Sequence, residues 1–187
     1  MKVKYSDLEN KKVFITGGGS GIGASIVESF CEQGSDVYFV DINVSESKKL
    51  INNLKKKKLK IPTFIECNLI NIKKLQSVIK KIISKKGPIN ILINSAANDN
   101  RHTTEEVNEK YWKDRMDINL KHYFFASQSV IKGMIKNKSG SIVNLSSVSW
   151  ILGEGDKVVY ETAKSAVIGL TRSFAQEFGK YNIRTNS

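Results

Sequence analysis

Two residues towards the C-terminal end of the chain, Tyr160 and Lys164, are of types that take part in proton transfer. They stand four positions apart in "VVYETAKSAVIGL", whose apolar spacing is helical, so both side chains lie on one face of a helix. A phenol is a poor base at neutral pH, but an ammonium group beside it stabilises the phenolate form. The spacing therefore predicts a general acid/base activated by a lysine, although the same pair also occurs in ordinary helices.

Two polar residues elsewhere are candidates for the same site. Ser147 stands thirteen residues before Tyr160, just beyond a predicted strand, where open α/β sheets bind their ligands. Its neighbour Ser146 competes for that role. Asn119 lies within "RMDINLKHYFFASQSVI", a largely apolar helical segment in which a buried amide needs hydrogen-bond partners.

A glycine-rich segment, "TGGGSGIG" at residues 16–23, follows the first predicted strand and opens the first helix. Glycines at such a turn let the backbone approach a pyrophosphate, whose charge is stabilised by the helix N-terminus. Asp41 ends the second strand eighteen residues after Gly23, close to the spacing at which a carboxylate binds an adenosine ribose. A carboxylate there repels a 2′-phosphate, and no Arg or Lys occurs in 16–23 or 41–44, which predicts NAD rather than NADP. The alternative is a structural turn followed by a capping aspartate.

The elements that position these residues alternate between short β-rich segments and longer helical patterns, without internal repeats. Strands are predicted at 12–16, 36–41, 62–66, 89–94 and 140–146, and a sixth begins in "YNIRTNS". Helices are predicted at 21–33, 46–59, 71–86, 105–136, which is broken near its start, and 157–179, with Gly34, Gly87 and Gly179 at C-terminal helix ends. This order predicts an α/β fold, a Rossmann-type doubly wound parallel sheet in one dinucleotide-binding domain over 1–187.

The glycine spacing G-x-x-x-G-x-G resembles that of the classical short-chain dehydrogenase/reductase family, and the resemblance covers nearly the whole chain. The family's catalytic tetrad is matched at four positions, Asn119, Ser147, Tyr160 and Lys164. The resemblance implies that Tyr160 removes the hydroxyl proton while Ser147 positions the oxygen. It also implies that Lys164 binds the nicotinamide ribose, that Asn119 holds a water in a proton relay, and that Ser147 is favoured over Ser146.

The same resemblance extends the predicted cofactor site. The segment "NSAA" at 94–97 is similar to the family's NNAG motif, and Asn68 occupies the position of an aspartate that contacts adenine. Both are departures from the family pattern, but an amide can still bind adenine. The predicted cofactor-binding residues are Gly17, Gly19, Ser20, Gly21, Ile22, Gly23, Asp41, Asn68, Leu69, Asn94, Ala96, Tyr160 and Lys164.

Two polar loops near the predicted site, at 98–112 and 149–157, indicate the class of substrate. Within the family, "NDNRH", "NLKH", "SVSW" and "YETAK" resemble bacterial NAD-dependent aldose dehydrogenases, which oxidise a sugar such as D-xylose at C1. Sugars suit such loops because each hydroxyl needs a polar partner and the C–H face stacks on an aromatic ring. The predicted substrate-binding residues are Asn98, Arg101, His102, Ser147, Trp150, Glu154 and Tyr160. Two alternatives stay open: a reductase of 3-ketoacyl or other carbonyl groups, and a non-catalytic dinucleotide-binding module.

The net charge of +12 raises the question of nucleic-acid binding. Many of the lysines lie in 48–60 and 72–87, where they alternate with isoleucine and leucine at helical spacing. That pattern is typical of the solvated face of amphipathic helices, so we expect a sugar substrate and no nucleic-acid partner.

Location and assembly follow from other features. The chain has no apolar run of membrane-spanning length and no apolar segment typical of a secretory signal, so we expect a cytoplasmic protein without membrane contact. Cys31 and Cys67 are expected to be buried free thiols, and His102 and His122 show no metal-ligand pattern. Family members continue into a substrate-covering loop, a seventh strand and much of a subunit interface. The resemblance therefore implies truncation in or after the sixth strand and a homodimer or homotetramer at full length.

Overall fold

A computed structural model describes residues 3–187; Met1 and Lys2, which belong to the predicted domain, lie outside the described residues. Its centre is a six-stranded sheet in the order β3-β2-β1-β4-β5-β6, with every neighbouring pair parallel. The strands are β1 Lys12–Thr16, β2 Asp36–Asp41, β3 Thr63–Glu66, β4 Ile91–Asn94, β5 Gly140–Asn144 and β6 Ile183–Asn186. The predicted doubly wound α/β fold and its sixth strand are confirmed.

Within residues 3–187, seven α-helices connect or flank the strands. They are α1 Gly21–Glu32, α2 Val44–Lys56, α3 Ile72–Lys86, α4 Glu109–Met116, α5 His122–Asn137, α6 Ser149–Leu152 and α7 Val158–Phe178. A π-helical turn, Asp117–Lys121, joins α4 to α5, and short 3-10 turns occupy Ser6–Leu8 and Gly179–Tyr181. The strand order reverses between β1 and β4, so the carboxyl ends of these strands open a crevice of the kind that binds ligands in such sheets.

Both faces of the sheet are covered, because alternate residues of each strand pack into different helical layers. Val13 and Ile15 of β1 belong to a core with residues of α1 and α2, whereas Phe14 packs against residues of α3, α5 and α7. All three side chains are fully buried. Each helical layer thus buries its apolar stripe against one face of the sheet.

Local capping explains where some helices differ from the prediction. Helix α2 begins at Val44, two residues before the predicted start, because the side chain of Asn43 accepts a hydrogen bond from the Glu46 N–H (3.1 Å). The predicted helix 105–136 begins only at Glu109, after Asn108 caps it in the same way. The predicted loop at 149–157 contains the single turn α6.

All three predicted glycines stand at helix ends, since Gly87 and Gly179 cap α3 and α7 and Gly34 follows the cap of α1, but Gly179 differs in backbone conformation. Gly34 and Gly87 have φ values of 80° and 86°, which glycine adopts without steric cost. Gly179 is right-handed, with φ −55°, and starts a 3-10 turn. The left-handed residue that ends this segment is Asn182, at φ 59°.

Both cysteines are buried and form no disulfide, and burial raises the pKa of the Cys31 thiol to about 12. Among residues 3–187, no helix has the length and apolarity required to cross a membrane.

Candidate active site

The glycine turn between β1 and α1 is packed so tightly that side chains are excluded at Gly17 and Gly23. Gly17 has φ 69°, and a Cβ added there would lie 2.7 Å from the Cα of Ala96. A Cβ on Gly23 would overlap the carbonyl oxygen of Gly17. Ser20 precedes α1, and its side chain makes no capping hydrogen bond to the first turn. The turn therefore presents backbone N–H groups at a helix N-terminus, where an anion is stabilised.

Asp41 is held against this turn by two backbone hydrogen bonds. Its Oδ2 accepts from the Gly19 N–H (2.8 Å), and its Oδ1 accepts from the Asn43 N–H (2.8 Å). The carboxylate therefore has a defined position at the end of β2, next to the glycine turn.

A cavity of about 830 Å³, named here the central cavity, lies at the carboxyl ends of the strands and extends from the glycine turn to Tyr160 and Lys164. Most of the predicted cofactor residues line it: Gly17, Ser20, Gly21, Ile22, Gly23, Asp41, Asn68, Leu69, Ala96, Tyr160 and Lys164. Gly19 and Asn94 are not in its wall. A single space that joins a glycine-rich helix N-terminus to a tyrosine and a buried lysine fits a nicotinamide dinucleotide.

Lys164 is 1% exposed, although its helix α7 also carries solvent-exposed residues. Its Nζ donates to the carbonyl oxygen of Leu145 (2.6 Å) and to the Tyr123 hydroxyl (2.8 Å), and lies 5.6 Å from the centroid of the Tyr160 ring. Burial lowers the pKa of Lys164 to about 8, and the charge of Asp99 opposes that shift. The structure thus brings the lysine to the tyrosine, as the helical spacing predicts.

Asn119 is fully buried in the π-helical turn, a feature that often marks functional sites. Its Oδ1 accepts from the Asn98 N–H (2.7 Å), and its Nδ2 donates to the Asn98 carbonyl oxygen (2.9 Å). The side chain therefore fixes the backbone of the loop that follows β4, and Asn119 is not in the wall of the central cavity.

The two serines that follow β5 have different partners. Ser146 Oγ donates to the carbonyl oxygen of Lys164 (2.8 Å), which links this loop to α7. Ser147 Oγ lies 2.9 Å from the Ser149 Oγ and accepts from the Ser149 N–H (3.2 Å). Ser146 lines the central cavity and Ser147 does not, so the assignment of Ser147 as the catalytic serine stays a prediction.

Two predicted substrate residues, Arg101 and His102, contact other protein groups. Arg101 forms an ion pair with Asp156. His102 is 6% exposed; its Nδ1 lies 2.9 Å from the Tyr111 hydroxyl, and its Nε2 accepts from the Val159 N–H (3.5 Å). These contacts join the loop after β4 to the start of α7, and a role in substrate binding stays a prediction.

The remaining predicted substrate-binding residues differ in their position relative to the central cavity and Tyr160. Asn98 lines the central cavity together with Tyr160. Glu154 pairs with Lys157 (Oε2 to Nζ, 2.6 Å), whose Nζ lies 6.0 Å from the centroid of the Tyr160 ring. Trp150 lies on α6 and is 36% exposed. Neither Glu154 nor Trp150 lines the central cavity.

Sequence reasoning missed buried polar residues behind the cavity wall. The Oγ1 of Thr16 accepts from the N–H groups of Ser95 (3.1 Å) and Ala96 (3.3 Å) and so joins the ends of β1 and β4. His122 Nε2 lies 3.4 Å from the same Oγ1, and burial lowers the pKa of this imidazole to about 3. Sequence offers little signal here, because these residues stand among apolar neighbours in a strand and a helix and resemble core positions. Within the described part of the chain, no three His, Cys, Asp or Glu residues are grouped to hold a metal ion.

Comparison with known proteins adds to this geometry. Residues 11–187 match the family described as short chain dehydrogenase. The chain belongs to this family. Short-chain dehydrogenases use nicotinamide dinucleotides, and the central cavity with its glycine turn fits such a cofactor.

Several relatives in the short-chain dehydrogenase family are named as dehydrogenases or reductases. D-xylose 1-dehydrogenase of Caulobacter vibrioides is 41% identical over 96% of this chain and 71% of its own length. A probable galactose dehydrogenase of Rhizobium meliloti is 39% identical over 98% of this chain and 72% of its own. A 3-oxoacyl-(acyl-carrier-protein) reductase of Thermotoga maritima is 34% identical over 96% and 73%.

The solved structure of an aldohexose dehydrogenase from Thermoplasma acidophilum is similar in fold. It has a TM-score of 0.85 and 33% identity, covering 97% of this chain and 66% of that one. Together with the family match, these relatives make the protein an oxidoreductase that acts on CH–OH groups.

Proposed function

We propose that the protein is an NAD-dependent sugar dehydrogenase that oxidises the C1 hydroxyl of an aldose such as D-xylose. The observation that carries the proposal is the position of Lys164, buried with its Nζ 5.6 Å from the Tyr160 ring centroid in the wall of the central cavity. The sugar is supported by the two relatives named as sugar dehydrogenases and by Asn98 and Asp99 in the same wall.

In the proposed reaction, the phenolate oxygen of Tyr160 accepts the proton of the sugar hydroxyl. The ammonium of Lys164 stabilises that phenolate, because opposite charges attract more strongly at a partly buried site than in bulk water. Ser147 is proposed to orient the hydroxyl, and Asn119 keeps the Asn98 backbone in place beside the site. A nicotinamide dinucleotide held by the glycine turn, Asp41 and Lys164 would supply the acceptor for the hydride of C1.

The preference for NAD is proposed from Asp41. Its carboxylate is anchored to the Gly19 and Asn43 N–H groups beside the glycine turn, so it cannot easily move away from a bound adenosine ribose. A carboxylate accepts hydrogen bonds from the ribose hydroxyls and repels a 2′-phosphate. No basic residue stands between 41 and 44 to pair with that phosphate.

A second candidate is a carbonyl reductase for an apolar substrate such as a 3-ketoacyl group. It is favoured by α6, on which Ile151 and Leu152 are each 67% exposed, and by the relative named as a 3-oxoacyl reductase. A non-catalytic dinucleotide-binding module is a third candidate, but that function does not require the Tyr160 and Lys164 pair.

One screen distinguishes the three candidates. Initial rates are measured from the absorbance of the reduced nicotinamide, with a panel of aldoses and polyols and either NAD or NADP. A ketoacyl thioester with either reduced cofactor forms the comparison arm. We expect reduction of NAD with one or more aldoses. Faster turnover of the thioester would favour the reductase, and cofactor binding without turnover in either arm would favour the module.

Assembly and location are also proposals. We expect a homodimer or homotetramer in the cytoplasm, as the family resemblance implies. Light scattering on the purified protein measures the oligomeric state, and a monomer at micromolar concentration would contradict this expectation.

A further inference from the structure

We propose that Tyr123 is a positioning residue for the reaction, whose hydroxyl holds the Nζ of Lys164 at the point from which it acts on Tyr160. The proposal rests on the roles proposed above for Tyr160 and Lys164, and one of its two tests requires neither substrate nor cofactor. Tyr123 lies on α5, four residues after Asn119.

The ammonium group of Lys164 has a limited number of donors, and the protein uses most of them. An ammonium group has three N–H donors. Leu145 accepts one at 2.6 Å and the Tyr123 hydroxyl lies 2.8 Å from Nζ, so two donors are used inside the protein. The third is left for the central cavity, whose wall includes Lys164. The position of the Tyr123 oxygen therefore helps to set the direction of the remaining donor.

The hydroxyl oxygen of Tyr123 is itself held in place. The side chain is fully buried, and its hydroxyl lies 3.0 Å from the carbonyl oxygen of Leu145 and 3.3 Å from that of Ala96. A phenol has one proton, so it donates to one of these carbonyls and keeps a lone pair for Lys164. Ala96 follows β4 and Leu145 follows β5, so Tyr123 joins the ends of neighbouring strands at the site.

The charges around Lys164 make the Tyr123 hydroxyl important for the ammonium form. Asp99, in the loop after β4, favours the ammonium form, and Tyr160 faces the same Nζ from α7. On α5, His122 is neutral because burial lowers its pKa to about 3. Burial also holds the pKa of Tyr123 well above its ordinary range, so its hydroxyl is a neutral acceptor. Loss of that acceptor destabilises the ammonium more than the neutral amine, because the ammonium is the stronger donor.

The test is Tyr123→Phe, which keeps the ring that packs in the core and removes only the hydroxyl. We expect kcat/KM to fall roughly ten- to hundred-fold, the effect of losing a hydrogen bond to a charged group. The basic limb of the pH profile, assigned to deprotonation of Lys164, should move to lower pH by about one unit or more. Tyr38→Phe is the matched control, since Tyr38 is another buried tyrosine, on β2, and is 8% exposed. It should leave the profile unchanged.

A measurement without cofactor or substrate separates this proposal from the proposed function. The titration of Lys164 is followed by NMR of its ¹³Cε signal, assigned by comparison with Lys164→Arg. A lower titration midpoint in Tyr123→Phe supports the proposal even if no sugar is oxidised. An unchanged midpoint would overturn it, and so would failure of Tyr123→Phe to fold, which would assign the hydroxyl to stability alone.

Discussion

Tyr160 and Lys164 differ in burial, and this difference predicts different effects when each is replaced. Lys164 is 1% exposed and tied to Leu145 and Tyr123, whereas the Tyr160 side chain is only half-buried. Tyr160→Phe keeps the ring and removes the acid/base group, so kcat should fall roughly 10²- to 10⁴-fold with NADH affinity nearly intact. Lys164→Ala should reduce both kcat and the affinity for NADH. Stopped-flow rates and NADH fluorescence titrations measure the two effects, and equal losses of affinity in both variants would mean that Tyr160 is structural.

Asp41 combines a charge with two structural hydrogen bonds, and two variants separate these contributions. Asp41→Asn keeps an acceptor for the Gly19 N–H but removes the charge that repels a 2′-phosphate. It should narrow the preference for NAD over NADP. Asp41→Ala should narrow it too and also weaken NAD binding, because the turn loses its anchor. Dissociation constants for both cofactors are the measurement; a wild-type protein that binds NADP as tightly as NAD would contradict the argument.

At the scale of elements, the glycine turn and the helix it opens depend on close backbone packing. Gly23→Ala places a Cβ against the carbonyl oxygen of Gly17, a backbone atom that can move only with the turn itself. We expect a loss of stability of about 1–3 kcal/mol, typical of overpacking, together with a large loss of cofactor affinity. Urea unfolding and NADH titration test this expectation.

Gly169→Ala in α7 is the matched control for Gly23→Ala, because it makes the same substitution at another helical glycine. No atom outside the local helix lies within 4 Å of a Cβ added at Gly169. Alanine favours a helix by up to about 1 kcal/mol over glycine, so this variant should be as stable as the wild type or more so. A similar loss in both variants would show that the tight packing of the glycine turn is not the cause.

At the scale of the whole molecule, the buried His122 makes stability depend on pH. Its pKa is about 3 in the folded protein and about 6.5 when unfolded, so below pH 6.5 only the unfolded chain takes up this proton. This uptake of a proton by the unfolded chain lowers the free energy of unfolding progressively as pH falls from 6.5 towards 3, by up to about 1.4 kcal/mol per pH unit. The physical cause is burial beside the Lys164 ammonium.

Comparison of the wild type with His122→Gln measures the contribution of His122 to the pH dependence of stability. The chain has 2 histidines, and His102 is common to both proteins. Urea unfolding between pH 7 and pH 4 should show a steeper loss of stability in the wild type than in the variant. Parallel pH dependences would contradict the assignment.

Periodicity and glycine placement in the sequence predicted the order of strands and helices, and the structure confirms a doubly wound parallel sheet. They succeeded because the buried strands are short apolar runs and the helices are amphipathic, so local pattern and tertiary burial agree. Element ends were less predictable. Asn43 and Asn108 start helices through side-chain hydrogen bonds, and Asn182 rather than Gly179 takes the left-handed conformation. Several residue types compete for each such position, and local packing decides among them.

For the candidate site, the sequence by itself determined the glycine turn, Asp41 and the helical pair of Tyr160 and Lys164, because each is a local pattern with a direct physical meaning. The tertiary structure decided which groups surround that pair. Tyr123 belongs to another helix, 41 residues before Lys164, and its hydroxyl meets the lysine only where α5 and α7 pack at the ends of β4 and β5. Contacts between residues distant in sequence depend on the packing of whole elements, which local periodicity does not encode.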